Sequence, residues 1–116
     1  MKYLIFIILS VFQLKVHAYP ITSTNGEHWE KVCSNTHPDF DEKSATGSCT
    51  MMLLGFQYGS KAQAEKDKAT RGYCFEKNIY HLPLIFVDFI RSNPMLKTRP
   101  IYEVLKQFGE TRRCDL

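Results

Sequence analysis

Four cysteines, Cys33, Cys49, Cys74 and Cys114, constrain this chain more than any other feature. Their meaning depends on the redox compartment, and the N-terminus speaks to that. Met1 and Lys2 form a short basic start, and an apolar run follows from Tyr3 to Leu14, broken by Ser10 and Gln13. Val16–Ala18 then places small or apolar residues where a signal peptidase reads. That is the layout of a secretory signal peptide over residues 1–18, cleaved after Ala18. The run falls short of the about 20 apolar residues that a bilayer span needs, and no later segment reaches that length. The expected product, Tyr19–Leu116, is exported as one domain without stable membrane association. It meets an oxidising compartment, where cysteines pair.

The exported domain has little room for a core, so covalent staples matter to it. There is no CxxC spacing, and His28, His37 and His81 do not fall at zinc-finger intervals from the cysteines. Two disulfides are therefore expected, with no metal site. Net charge is +3 for the whole chain, and losing Lys2 and Lys15 leaves +1. No strong field remains to attract nucleic acid or anionic lipid.

Hydrophobic spacing predicts an all-α domain of four to five helices. Trp29, Val32 and Cys33 share a helical face, with Thr24 or Asn25 as cap. The polar, turn-rich stretch 35–47 reads as a loop. Cys49, Met52, Leu53 and Phe56 fall at i, i+3, i+4, i+7 on a second helix. Its continuation through 60–70 is rich in helix formers but has little apolar face, and reads as a solvated arm stopped by Arg71-Gly72. Leu82–Ile90 is apolar nearly all round, with Asp88 its one charge. Periodicity alone allows a strand there, but Asn78 as cap, Pro83 in a first turn and Asn93-Pro94 as a stop favour a central helix. Ile101, Val104, Leu105 and Phe108 mark a last amphipathic helix.

This layout selects among the three possible connectivities. An antiparallel pairing of the last two helices brings Cys74 beside Cys114. A turn between the first two brings Cys33 beside Cys49. The chain-entropy argument makes each bridge worth roughly 3–4 kcal/mol.

The sequence holds no phosphate-cradling glycine loop, no GxSxG and no HExxH. No catalytic residue and no cofactor are expected. His81 reads as a helix-boundary residue, and Gly55 and Gly59 as a close-packing or helix-end signal.

The segments "CTMMLLGFQYG" at 49–59, "YCFEKNIYHLP" at 73–83, "FIRSNP" at 89–94 and the closing "RRC" at 112–114 carry a family resemblance. In order and cysteine placement the chain resembles the Tai/Rap immunity proteins of type VI secretion systems, from about Trp29 to Cys114. Phe75-Glu76 stands where that family usually has Leu-Pro, and Asn93-Pro94-Met95 where it has His-Pro-Glu. The resemblance implies a periplasmic homodimer that binds a cognate peptidoglycan amidase effector, an NlpC/P60-type enzyme, and blocks its cleft without chemistry of its own. Arg91, Asn93, Met95, Leu96, Lys97 and Arg99, in a stretch that holds two prolines, are then the candidate contact residues. Met95 and Leu96 would enter an apolar part of the cleft while the cations meet an acidic rim. The plainer alternative is a helix–helix turn whose Met95 or Leu96 caps the core. The 60–71 arm is a second candidate surface. The rival from another class is a small periplasmic acid-stress chaperone, also helical and disulfide-bonded.

Overall fold

The computed structural model describes residues 24–75 and 77–116. The expected signal peptide and its cleavage point lie outside the described residues. Among the described residues four α-helices follow one another: α1 (Gly26–Cys33), α2 (Glu42–Lys66), α3 (Leu82–Ser92) and α4 (Ile101–Glu110). A 3-10 helix, η1 (Pro94–Thr98), links α3 to α4. Two short strands, β1 (Arg71–Tyr73) and β2 (Arg113–Asp115), form an antiparallel ribbon in which Gly72 faces Cys114. The fold is all-α apart from this ribbon, and among the described residues no helix is long and apolar enough to cross a membrane.

Each boundary has a local cause. Asn25 caps α1 by accepting the His28 N–H at 2.9 Å. The predicted loop 35–47 ends early because Asp41 accepts the Ser44 N–H at 2.7 Å and starts α2 at Glu42. That hydrogen bond holds the Asp41 carboxyl below its ordinary pKa. The helix then runs through the predicted arm. It stops at Lys66, before Arg71-Gly72, with Lys68 left-handed at φ 55°. Asn78 does not cap α3: its side chain accepts the Tyr80 N–H in the preceding turn. His81 holds the N-cap position without a side-chain cap bond.

The core lies where α3 packs on α1, α2 and α4. Leu82, Phe86 and Ile90 are fully enclosed on one side of α3, whereas Leu84 and Asp88 face outward. The all-round apolar helix is thus central but not covered on every face. Phe108 of α4 meets Phe75, Phe86 and Phe89 at centroid distances of 4.9, 5.2 and 5.3 Å. Arg112 covers the same ring, its guanidinium carbon 5.2 Å from the centroid.

Both predicted disulfides are present. Cys33–Cys49 joins the end of α1 to the first half of α2 (Cα–Cα 5.1 Å), and Cys74–Cys114 closes the ribbon (Cα–Cα 5.8 Å). The second bridge is more than the tie between helix ends that the sequence suggests. It sits on a ladder continued by the Cys74 N–H to the Arg112 carbonyl at 2.8 Å and the Leu116 N–H to the Thr70 carbonyl at 2.9 Å.

The bridges span 16 and 40 residues. Loop entropy then predicts that Cys74→Ser/Cys114→Ser costs about 4 kcal/mol and Cys33→Ser/Cys49→Ser about 3 kcal/mol, the latter plus the burden of burying hydroxyls. Urea midpoints of the two paired variants check both losses. Phe108→Ala should cost about 3–5 kcal/mol in the same assay, since the ring is enclosed by three others.

Candidate functional site

The six residues singled out between α3 and α4 do not act alike. Three of them build the segment. Asn93 donates from its side-chain amide to the Phe89 carbonyl at 2.8 Å, and its own carbonyl accepts the Leu96 N–H at 2.9 Å, so it both closes α3 and opens η1. Arg91 donates from Nε to Oε1 of Glu30 at 2.8 Å. The Glu30 side chain is only 10 % exposed, so Arg91 is the partner of an otherwise buried carboxylate. Leu96 is 4 % exposed and belongs to the core. The expectation that Leu96 protrudes beside Met95 is therefore corrected. On a 3-10 turn, neighbouring side chains diverge, so one of the pair goes in and the other out.

Of the remaining three, two are exposed and one is partly buried. Met95 is 78 % exposed. Lys97 is half-buried, and Arg99 forms a loose, solvated pair with Glu103 at 3.9 Å, which is worth little. The result is an apolar side chain at the apex with two cations following it.

This apex is fastened from below. The Gly26 N–H donates to the Arg99 carbonyl at 3.0 Å, and the Ile101 N–H donates to the Thr24 carbonyl at 3.2 Å. Asn25 and Pro100 form a bridge between them. Gly26 is required by close approach: a Cβ there would run into the Leu96 carbonyl, which is backbone and cannot swing aside.

Two concave surfaces lie outside the segment; the 60–71 arm, the second candidate surface of the sequence, lines the first of them, and the sequence reading does not name the second. One, about 570 Å³, lies along α2 beside the ribbon, lined by Gly55, Gly59, Arg71, Tyr102, Lys106 and Arg113. Gly55 and Gly59 have open space where a Cβ would stand, so they mark neither close packing nor a helix end. The other, about 700 Å³, is walled by Trp29, Phe40, Met52, Ile101, Tyr102 and Leu105, with His28 and His37 at one side. The imidazoles of His28 and His37 meet edge to face with centroids 4.9 Å apart. Burial, then the neighbouring His37, lowers the pKa of His28, while Asp39 works against both. The signal for this groove lay in the cluster of His28, Trp29, His37 and Phe40. Helical periodicity assigns its first two members to α1 and leaves the others to a loop, so sequence spacing does not show that they converge.

Among the described residues, no three or more His, Cys, Asp or Glu side chains are placed to hold a metal ion.

Gly26→Ala is expected to push η1 off α1 and to cost about 1–3 kcal/mol, as overpacking against backbone does. Thermal unfolding checks the loss, and amide exchange should show it centred on the Arg99 and Ile101 contacts. No family model, curated protein or solved structure matches the chain.

Proposed function

We propose that the chain is a periplasmic immunity protein of the Tai/Rap kind, which binds a cognate peptidoglycan amidase effector of the NlpC/P60 type and occludes its cleft. One observation carries this reading. The segment 91–100 is preorganised: its C-terminal end is tied by backbone hydrogen bonds to the start of α1, the Arg91 side chain holds Glu30 of α1, and Met95 stands exposed between them. A segment already ordered loses little entropy on binding, which is what a steric inhibitor needs. Lys97 and Arg99 flank the apex and would favour approach to an acidic rim. The resemblance in motif order and cysteine placement supplies the identity of the partner class and the homodimer.

Arg91, Asn93 and Leu96 act in this proposal as supports, and Met95, Lys97 and Arg99 as the contacting set. That division shapes the test. Replacing Leu96 would empty a core position, so loss of binding there would say nothing about contact. Met95→Asp touches no packed neighbour and should leave the unfolding midpoint in place.

A second reading, the acid-stress chaperone, is favoured by one feature: an aromatic groove bordered by two apposed imidazoles. It predicts promiscuous client binding at low pH instead of specific inhibition at neutral pH.

The oxidised exported part, Tyr19–Leu116, titrated against the amidase-like protein encoded beside its gene, should abolish muropeptide cleavage at neutral pH with a stoichiometric end point. Met95→Asp should weaken that inhibition about tenfold or more, as expected for an apolar anchor at the centre of an interface. Full inhibition by Met95→Asp would remove the projection from the mechanism. Absence of inhibition by the parent protein, with suppression of client aggregation at low pH, would select the chaperone reading.

A further inference from the structure

The segment between α1 and α2 makes two kinds of contact. At its start it is tied by backbone: the Thr36 N–H donates to the Lys31 carbonyl at 2.8 Å, and Asn35 takes a left-handed turn at φ 61°. Further on, residues 37–40 rest against α1 through rings. His37 meets His28 at 4.9 Å, and Phe40 stands edge-on to His37 at 5.2 Å and to His28 at 6.4 Å. Trp29 packs on the far side of His28 at 5.4 Å. These side chains form one wall of the 700 Å³ groove.

The geometry calls for a neutral imidazole at His37. The Asp39 N–H donates to Nδ1 of His37 at 3.1 Å, so that nitrogen must carry a lone pair, not a proton. Protonation would turn the acceptor into a donor facing another donor. It would also place two positive rings against each other in a half-buried, aromatic setting. The charged surroundings offer limited relief. Asp39 is the carboxylate beside the pair; on α1, Glu27 and Lys31 are committed to each other at 3.4 Å, and Asp41 is engaged in capping α2. From α4 the groove receives Tyr102, and from α2 the uncharged Ser48 and Met52. One carboxylate does not neutralise two imidazoliums.

We propose that His28 and His37 form an acid-released latch: protonating the pair frees residues 37–40 from α1 and opens the aromatic groove while the helices stay assembled. The Cys33–Cys49 bridge lies at the base of the segment and keeps the ends of the opening loop joined. The link after Met95 is tied to the N-terminal turn of α1 by backbone hydrogen bonds, which carry no titrating group. The inference stands apart from the identity of the partner.

The sign follows from the His28 shift. Its folded pKa lies below the ordinary value of 6.5, so the closed form binds fewer protons than the open one. Closure is fully favoured above 6.5 and is lost as pH falls through the folded pKa.

The test uses the oxidised protein at pH values from about 7.5 down to about 5, the range in which imidazoles titrate. Three signals are followed: histidine ring resonances by NMR, binding of an apolar fluorescent dye, and helical circular dichroism. At neutral pH, ring nitrogen shifts should show His37 protonated on Nε2. On acidification His28 should titrate below its ordinary 6.5, and dye binding should rise in step with it at constant helix content. His37→Gln should raise the His28 midpoint by removing a positive neighbour. His28→Gln/His37→Gln should flatten the dye curve. An Nδ1-protonated His37 at neutral pH would overturn the proposal in the parent protein itself, without recourse to variants. Dye binding that stays flat, or that rises together with loss of helix, would also overturn it.

Discussion

The ring of Phe108 is the point through which the parts of this small fold communicate. It joins α4 to two positions on α3, Phe86 and Phe89, and to Phe75 in the segment after β1. Phe75 follows Cys74 directly, and Arg112, which covers the ring, lies two residues before Cys114. Burial of one aromatic side chain therefore sets the helix hairpin and brings the two cysteines to bonding distance. The apolar contact supplies the geometry, and the bridge then limits the unfolded chain. Gly109 completes the arrangement: Tyr73 Cδ2 lies 2.6 Å from where its Cβ would be, so the helix end admits that ring only because the side chain is missing.

With α3 and α4 so held, the link between them has little freedom. Asn93 closes one helix, Leu96 buries itself, and hydrogen bonds from Gly26 and Ile101 tie the far side to the start of α1. Glu30 shows the same economy from within. A buried carboxylate is costly by itself, and Arg91 makes it tolerable by supplying a charged donor at 2.8 Å. Residues that resemble a binding surface in the sequence thus divide by physics into those satisfying buried partners and those left in water. Met95 and Arg99 are exposed residues of the segment without a buried partner, and Lys97 stands partly exposed beside them.

The first turn of α1 carries two duties. Backbone hydrogen bonds at Thr24 and Gly26 hold the link between η1 and α4, while the His28 and Trp29 side chains of the same turn wall the aromatic groove. Asn25 connects the two, capping the His28 N–H at 2.9 Å and bridging to Pro100.

Cysteine number, the apolar periodicities and the proline stops determined the helical class, the four helices and both disulfide pairings. Those signals are local, or follow from antiparallel neighbours meeting at their ends. Boundaries were less legible where a cap competed with composition. The polar run 35–47 hides the start of α2 because Asp41 decides it through one hydrogen bond. Only the tertiary structure decided that Leu96 points inward, that Arg91 serves Glu30, and that His28, His37, Trp29 and Phe40 share a wall. Each of these depends on which elements pack together across the fold, and spacing along one element carries no information about its neighbour. The ribbon was invisible for the same reason: three-residue strands have no periodicity to read, and the packing of Phe75 and Phe108 brings them side by side.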